Sequence, residues 1–337
     1  MVPGSGINLI VGDNGAGKTS ILEAIYLAGR GRTFRHADAG PMIRQGAGYA
    51  SVVLGLRAEE SGRDSILGVR REKRTLVCRL NGEDVRKRSV LAEALPVQWV
   101  GSQPQLFLGM GPEVRRRFID MGLFHVEQSV LGVLSEFQRT LRQRNAAIRT
   151  GSIEQVRLWN RPFSQVALAL HAHRDRFVTN LMRGVETLLE TWQPGFRVGY
   201  RYRGGWNADH PLPDQLDKKI DSDMRAGYTV RGPQRAELEI LADGVLAEKK
   251  LSRGQQKLLV LAINLVLADM IKARKTTTPI LLIDDLAAEL DPGNRERVMR
   301  ELELRGAQVF LTQIEPHMLP TSAPGKKTFH VEHGTLK

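Results

Sequence analysis

The sequence contains 337 residues, of which 42% are hydrophobic and 26% charged, and it carries a formal net charge of +12. This length exceeds one ordinary core and predicts one large domain with an insertion, or two domains. The excess of positive charge favours a polyanionic partner, either nucleic acid or an anionic membrane surface. A basic solvated surface is the alternative.

Cysteine usage and apolar runs exclude several classes of protein. Cys78 is the only cysteine, which excludes an internal disulfide framework and a Cys-rich metal site and fits a reduced cytoplasm. Residues 1–6 lack the charged and apolar regions of a signal peptide. Asn264 and Asp269 interrupt the longest apolar stretch, so we expect a cytoplasmic protein without a membrane-spanning segment.

A glycine-rich loop follows the first apolar run of the chain. Residues 7–11 predict a buried strand, and residues 20–28 predict a helix that receives phosphate at its N-terminus. The loop fits the phosphate-loop pattern G-x-x-x-x-G-K-[ST] at every fixed position, so Lys18 is expected to bridge the β- and γ-phosphates and Thr19 to bind Mg²⁺. The predicted ATP-binding residues are Gly12, Asp13, Asn14, Gly15, Ala16, Gly17, Lys18, Thr19 and Ser20.

Alternating apolar and polar residues predict a small β lobe after this helix. The strand-like segments lie around residues 50–56, 65–70 and 75–80, Asn81-Gly82 predicts a hairpin turn, and residues 96–100 are expected to close the lobe. Basic side chains cluster near the hairpin, and such surfaces contact nucleic-acid phosphates without reading bases. With solvated surface residues as the alternative, we predict DNA contacts from Arg70, Arg71, Lys73 and Arg74.

Helical periodicity dominates the middle of the chain. Pro112 can begin a helix, and two long amphipathic segments flank the turn Thr150-Gly151-Ser152. Helices joined by so short a turn pair antiparallel, forming a helical arm whose second helix Pro162 should break or kink. Residues 192–206 are expected to be irregular. A basic run at the start of this insertion is also predicted to contact DNA: Arg115, Arg116 and Arg117.

The α/β pattern returns near the C-terminus, so the predicted ATPase core is split. The predicted ranges are residues 1–111, residues 112–220 for the inserted arm, and residues 221–337. A predicted strand over residues 279–283 ends in two carboxylates. We assign Asp284 to the Mg²⁺ shell and Asp285 to polarising the attacking water. A solvated turn pair is the alternative, and Glu289 is the rival base.

A second motif of the ATP site lies far along the chain from the phosphate loop. Leu251 to Lys257 resembles the signature loop of the ABC ATPase superfamily. Ser252 and Gly254 precede a long helix, where a serine is also an ordinary helix cap; capping and binding a γ-phosphate are compatible. In that superfamily the loop completes the phosphate loop of a second molecule, so the resemblance implies an ATP-gated homodimer.

Taken together, the motifs resemble the RecF family of bacterial recombination mediators over nearly the whole chain. The resemblance rests on residues 12–20, 31–35, 80–82, 111–120, 228–238, 251–257 and 282–291. It implies an α/β, ABC-type (Rad50-like) ATPase head with a β lobe and an antiparallel helical arm. It also implies a cytoplasmic, DNA-stimulated ATPase of slow turnover. Such a protein is expected to act at gapped DNA, to load RecA together with RecR and RecO, and to support the SOS response.

The chain departs from the family pattern at several positions. Asp285 stands where the superfamily usually has Glu, and Gln234 where the family commonly has His. A basic, aromatic strand usually precedes the phosphate loop, whereas Met1 lies close before Gly12. The segment Leu311-Thr312-Gln313 stands where transporters carry a switch histidine, and we expect a reduced role for Thr312.

Two other functions are alternatives to that of a recombination mediator. The ATPase subunit of a transporter would carry a switch histidine and place its signature loop much closer to the phosphate loop. A chromosome-structural head of the SMC type would need hundreds of heptad residues between the two motifs, and this chain has no room for them.

Overall fold

The computed structural model describes residues 1–35, 42–57, 62–127, 129–274, 278–314 and 325–337. Two compact units are present: Met1–Pro104 with Arg253–Lys337, hereafter the first unit, and Gln105–Ser252, the second unit. The strands are β1 (Ile7–Val11), β2 (Ala50–Arg57), β3 (Asp64–Arg71), β4 (Leu76–Leu80), β5 (Glu83–Asp84), β6 (Val97–Val100), β7 (Val198–Arg203), β8 (Glu237–Ala242), β9 (Val245–Leu246), β10 (Ile280–Ile283), β11 (Val309–Gln313), β12 (Lys327–Glu332) and β13 (Thr335–Leu336).

The helices follow the periodic segments of the sequence. They are α1 (Lys18–Arg30), α2 (Arg88–Ala94), α3 (Gln105–Leu108), α4 (Pro112–Val126), α5 (Val130–Thr150), α6 (Ile153–Trp192), α7 (Leu212–Lys218), α8 (Ile220–Ala226), α9 (Ala247–Lys250), α10 (Arg253–Lys272) and α11 (Pro292–Arg305). A 3-10 turn spans Pro233–Arg235.

A six-stranded sheet forms the centre of the first unit, in the order β13-β12-β1-β11-β10-β6. Strand β1 runs parallel to β11 and β12, and β10 runs parallel to β11 and β6. All five residues of β1 and of β11 are buried, as expected of strands covered on both faces. The carboxyl ends of β1, β10 and β11 therefore meet at one edge of the sheet.

One face of this sheet packs against α1 and the β lobe. Ile10 and Phe310 of the sheet share a buried core with Leu22 and Leu27 of α1 and Leu67 of β3. Helix α10 is the single helix among the described residues that is long and apolar enough to cross a membrane by length and composition. Because 78% of its apolar window is buried inside the protein, it has the environment of a core helix.

The β lobe is an antiparallel sheet in the order β2-β3-β4-β5. The predicted hairpin at Asn81-Gly82 is confirmed: φ is 53° at Asn81 and 89° at Gly82, and Leu80 pairs with Glu83 across the turn. The expectation that residues 96–100 close the lobe is wrong. This segment is β6, which pairs parallel with β10, because its apolar residues are buried in the central sheet.

The second unit is built around the antiparallel helices α5 and α6. The predicted turn between them is confirmed, with Gly151 left-handed at a φ of 79° and the Ser152 hydroxyl accepting a hydrogen bond from the Gln155 amide at 3.3 Å. Pro162 lies inside the 40-residue α6 without ending it, so of the predicted break or kink the break is absent. The carbonyl that Pro162 leaves unbonded belongs to Leu158, whose residue is 76% exposed and can be solvated.

Residues 221–252 belong to the second unit together with the helical pair. The reason is β7, which lies in the segment expected to be irregular and pairs antiparallel with β8 from Val198 to Arg203. The compact unit therefore runs from Gln105 to Ser252, whereas the range expected for the arm ended at residue 220. Strands β8 and β9 form an antiparallel hairpin, with Leu241 paired to Leu246.

A buried polar cluster ties α5 to the segments after α7. The Arg144 guanidinium, fully buried, forms an ion pair with Asp223 at 2.8 Å and donates to Asn160 Oδ1 at 2.9 Å and Thr229 Oγ1 at 2.7 Å. Asp223 Oδ1 also accepts from the amide of Val230 at 2.9 Å. Burial lowers the pKa of Arg144, and the adjacent carboxylate of Asp223 opposes that shift.

Candidate functional site

The phosphate loop lies between β1 and α1, as the sequence predicted. Gly17 is the residue before α1 and has a left-handed φ of 108°, a conformation that a residue with a side chain rarely adopts. The loop closes on itself through the Ala16 amide, which donates to the Asp13 carbonyl at 3.1 Å. Asn14 and Gly15 are exposed, and they line one cavity together with the first residues of α1.

A C-terminal hairpin braces the loop from behind. The Gly334 amide, in the turn between β12 and β13, donates to the Ala16 carbonyl at 2.9 Å. Val331 is buried in the same core as Ala16. No sequence motif predicts this contact, because it joins two distant parts of the chain through backbone atoms alone.

The cavity beside the loop has a volume of about 260 Å³ and is strongly polar. Its walls come from the phosphate loop, from Asp284 and Asp285, and from residues 312–314. Arg35 and Ser102 also line it, and neither was predicted as a site residue. Arg35 lies in the segment 31–35 that carries the family resemblance, but that resemblance assigned it no role, and Ser102 belongs to no recognised pattern.

Lys18 reaches across the mouth of the loop. Its Nζ donates to the carbonyl oxygens of Gly12 at 2.6 Å and Asp13 at 2.9 Å. These bonds hold the ammonium against the backbone of the loop, and Lys18 also lines the polar cavity. The position agrees with the predicted role of Lys18 at the β- and γ-phosphates, which remains a prediction.

The two oxygen groups expected to hold Mg²⁺ are adjacent. Thr19 Oγ1 lies 3.1 Å from Asp284 Oδ1 and 3.3 Å from Oδ2. A hydroxyl and a carboxylate are the oxygen ligands that Mg²⁺ uses in nucleotide sites, with phosphate oxygens and waters filling the remaining positions. The residues present therefore fit a magnesium ion. Within the described ranges, no group of three or more His, Cys, Asp or Glu forms another metal site.

Thr312 connects the two carboxylate residues. Its hydroxyl donates to Asp284 Oδ1 at 2.5 Å and accepts from the Asp285 amide at 2.9 Å. Asp284 is 9% exposed and Asp285 is half-buried with a left-handed φ of 50°. Gln313, next in β11, is buried, and neither of its amide atoms has a hydrogen-bond partner among the described residues.

The signature-like loop lies at the start of α10. Ser252 is exposed, and Gly254 is half-buried and is not among the described residues that line the cavity. Gly254 is required by a close approach, because a Cβ atom there would lie 2.4 Å from the carbonyl oxygen of Glu289. The loop thus presents Ser252 outward while its glycine packs against the segment that follows β10.

Comparison with known proteins decides the family. A family model described as the RecF/RecN/SMC N terminal domain matches residues 2–337. Curated proteins called DNA replication and repair protein RecF match along the chain. The one from Shewanella denitrificans is 34% identical over 100% of this chain and 94% of that protein, and the one from Pseudomonas paraeruginosa is 38% identical over 99% and 92%. The chain belongs to the RecF family.

Solved structures agree on the fold. A structure of the recombination mediator RecF with ATP in the RecFOR pathway has a TM-score of 0.84 at 21% identity, covering 98% of this chain and 91% of that chain. The Smc head domain of Pyrococcus furiosus has a TM-score of 0.59 at 18% identity, covering 100% and 90%. The predicted fold class, an ABC-type α/β ATPase head, is thereby confirmed.

In this RecF family member the basic residues of the β lobe differ in how free their side chains are to contact DNA phosphates. Arg70 stacks over Tyr49 at 3.9 Å and pairs with Glu72 at 3.2 Å. The Nε atom of Arg71 is buried. Lys73 and Arg74 are exposed in the turn between β3 and β4, and neither has a carboxylate within 4.0 Å in the part of the chain that the structure describes.

The three arginines at the start of α4 differ in burial, and only Arg115 is buried, so the DNA contacts expected of Arg116 and Arg117 stay predictions. Arg115 is 8% exposed; it pairs with Glu237 at 2.9 Å and donates to the carbonyls of Phe107, Leu108 and Met110. Arg116 donates to the Ala236 carbonyl at 2.8 Å, and Arg117, although exposed, pairs with Glu113. Arg115 is therefore withdrawn from the predicted DNA surface, because its guanidinium bonds are used inside the second unit.

Proposed function

We propose that this RecF family protein is a DNA-binding, ATP-hydrolysing recombination mediator that dimerises on ATP. The observation that carries the proposal is that Lys18, Thr19, Asp284 and Thr312 all line one polar cavity, where both threonine hydroxyls donate to Asp284. That set supplies a cation for the transferring phosphate and oxygen ligands for Mg²⁺, which are the parts that phosphoryl transfer requires.

In this proposal each ATP lies between two copies of the chain. One copy supplies the phosphate loop and the two carboxylates. The other supplies Ser252 and Gly254, whose N–H groups at the start of α10 bind the γ-phosphate. The exposure of Ser252 supports this arrangement, since a residue that completes a partner's site must be accessible in the free chain.

Thr19 and Asp284 would hold a Mg²⁺ ion, which would supply positive charge against the charge that develops on the phosphates, while the chain positions the remaining groups. Lys18 holds the β- and γ-phosphates, and Asp285 orients and polarises the attacking water. We propose slow turnover, so that the ATP-bound dimer persists long enough to act on DNA.

The partners are proposed by family membership and by charge. Curated relatives are called DNA replication and repair proteins, and solved relatives belong to the RecFOR pathway. We infer that this protein works in the cytoplasm at gapped or junction DNA with RecR- and RecO-type mediators, loading recombinase and supporting the SOS response. The net charge of +12 favours binding to the phosphate backbone.

The test compares ATP hydrolysis without DNA, with gapped DNA and with anionic vesicles. The proposal predicts that gapped DNA raises the rate, that vesicles do not, and that Lys18→Ala abolishes hydrolysis and productive ATP binding. Lys249→Ala, an exposed lysine in α9, is the matched control and should behave like the parent. Stimulation by vesicles with no response to DNA would favour a membrane-partnered ATPase instead.

A further inference from the structure

Lys257, in the second turn of α10, is a fully buried cation bound by backbone oxygens. Its residue is 0% exposed, and its Nζ donates to the carbonyls of Asp285 and of Ala288, the latter at 2.9 Å. It forms no ion pair within 4.0 Å among the described residues. Burial of an ammonium is costly, and here it lowers the pKa of Lys257 while the carboxylates of Asp285 and Glu289 oppose the shift.

Two further contacts join the start of α10 to the same segment of the chain. Gly254 approaches the Glu289 carbonyl so closely that no side chain fits between them, and Arg253 lies 3.6 Å from the Glu289 carboxylate. Both ends of the contacted segment are conformationally unfavourable, with φ of 50° at Asp285 and 69° at Glu289. Such backbone persists only where its surroundings hold it in place, which these contacts do.

We propose that Lys257 is a positioning residue that couples the signature-like loop to the catalytic carboxylate of its own chain. The inference rests on the proposed function and deepens it. When Ser252 and Gly254 engage the ATP held by a partner, the first turns of α10 are fixed. Lys257 passes that restraint to the backbone of Asp285. Hydrolysis in one site then depends on ATP in the other.

The first test removes the ammonium and keeps the stem, using Lys257→Met. The matched control is Lys272→Met, since Lys272 is also in α10 and its Nζ also donates to a carbonyl, that of Arg305 at 3.1 Å. We expect Lys257→Met to bind ATP and dimerise like the parent while kcat falls about 10–100-fold, the range typical of lost positioning partners. Lys272→Met should keep the parental kcat.

A lower kcat with an unchanged KM for ATP identifies Lys257 as a positioning residue. A parental kcat in Lys257→Met would overturn the proposal. Lys257→Gln serves as a second variant; if denaturation curves show that both variants fail to fold, Lys257 belongs to fold stability and the proposal is also overturned. Failure of the parent itself to dimerise on ATP would instead contradict the proposed function, so the two failures are distinguishable.

The second test asks through which site Lys257 acts, by mixing two variants of low activity. In a dimer of Lys257→Met with Asp285→Asn, action on the chain's own carboxylate leaves both sites defective, so the mixture gains no activity over the separate variants. Action through the chain's own Ser252 on the partner's ATP would put both defects in one site and leave the other intact, which restores about a quarter of the parental rate in a random equal mixture. That recovery would overturn the proposal.

A control mixture shows that mixed dimers form. Ser252→Ala and Asp285→Asn place both defects in the same composite site when they are on different chains, so the other site is intact. Because only half of the dimers in a random equal mixture are mixed, and each of these has one intact site of two, this mixture should recover about a quarter of the parental rate. Recovery here, with none in the Lys257→Met mixture, is the result that the proposal predicts.

Discussion

Removing the Thr312 hydroxyl is the sharpest test of how Asp284 and Asp285 are held at the carboxyl end of β10. Thr312→Val keeps the shape of the side chain but deletes the donor to Asp284 Oδ1 at 2.5 Å and the acceptor for the Asp285 amide at 2.9 Å. A hydrogen bond to a charged group contributes about 1.5–3 kcal/mol, and a partly buried amide left unbonded costs about 1 kcal/mol. We expect the free energy of unfolding to fall by about 2.5–4 kcal/mol.

The same change should weaken the magnesium site. Thr312 orients Asp284, and losing such an outer partner typically lowers metal affinity about 10–100-fold. The assay is the Mg²⁺ concentration that half-saturates ATP hydrolysis, with chemical denaturation measured alongside. Thr312→Ser is the control: it keeps the hydroxyl and loses one buried methyl, which should cost about 1 kcal/mol of stability without moving the Mg²⁺ requirement. Equal Mg²⁺ requirements in the two variants would refute this reasoning.

Three other changes have defined outcomes. The Asp285→Asn variant should bind ATP and dimerise but stall before hydrolysis, because it lacks the carboxylate that polarises water. If Asp285→Asn hydrolyses ATP at the normal rate while Glu289→Gln forms a trapped dimer, Glu289 is the base instead of Asp285. Asp223→Ala should lower the free energy of unfolding by about 3–5 kcal/mol in denaturant titrations, because it leaves a buried guanidinium uncompensated; a loss under about 1 kcal/mol would contradict this account. Replacing Lys73 and Arg74 by Ala together should reduce the slope of log affinity for DNA against log salt by about 2, whereas an unchanged slope would place the DNA surface elsewhere.

The sequence predicted well what depends on local pattern. The phosphate loop, the strand ending in Asp284 and the Asn81-Gly82 hairpin each carry their information within a few residues. Glycine positions, apolar runs and turn dipeptides set these structures directly. The family resemblance added the expected fold, which the solved relatives bear out.

The errors arose where distant contacts decide. Three consecutive arginines read as a basic surface, but the helical period of α4 turns Arg115 inward to Glu237, more than a hundred positions away in the chain. Residues 96–100 were assigned to the β lobe because the local sequence does not indicate that their partner is the distant parallel strand β10. The bonds from Lys257 to backbone carbonyls were likewise invisible, since carbonyl oxygens carry no sequence signal.

The central claim is that ATP joins two copies of this chain through composite sites. Its most direct test is the mass in solution, measured by light scattering on the parent and on Ser252→Arg with ATP, with ADP and without nucleotide. The account predicts a dimer only for the parent with ATP, and a monomer that still binds ATP for Ser252→Arg, because the bulky cation blocks the partner's γ-phosphate. A Ser252→Arg protein that dimerises and hydrolyses ATP like the parent would contradict it.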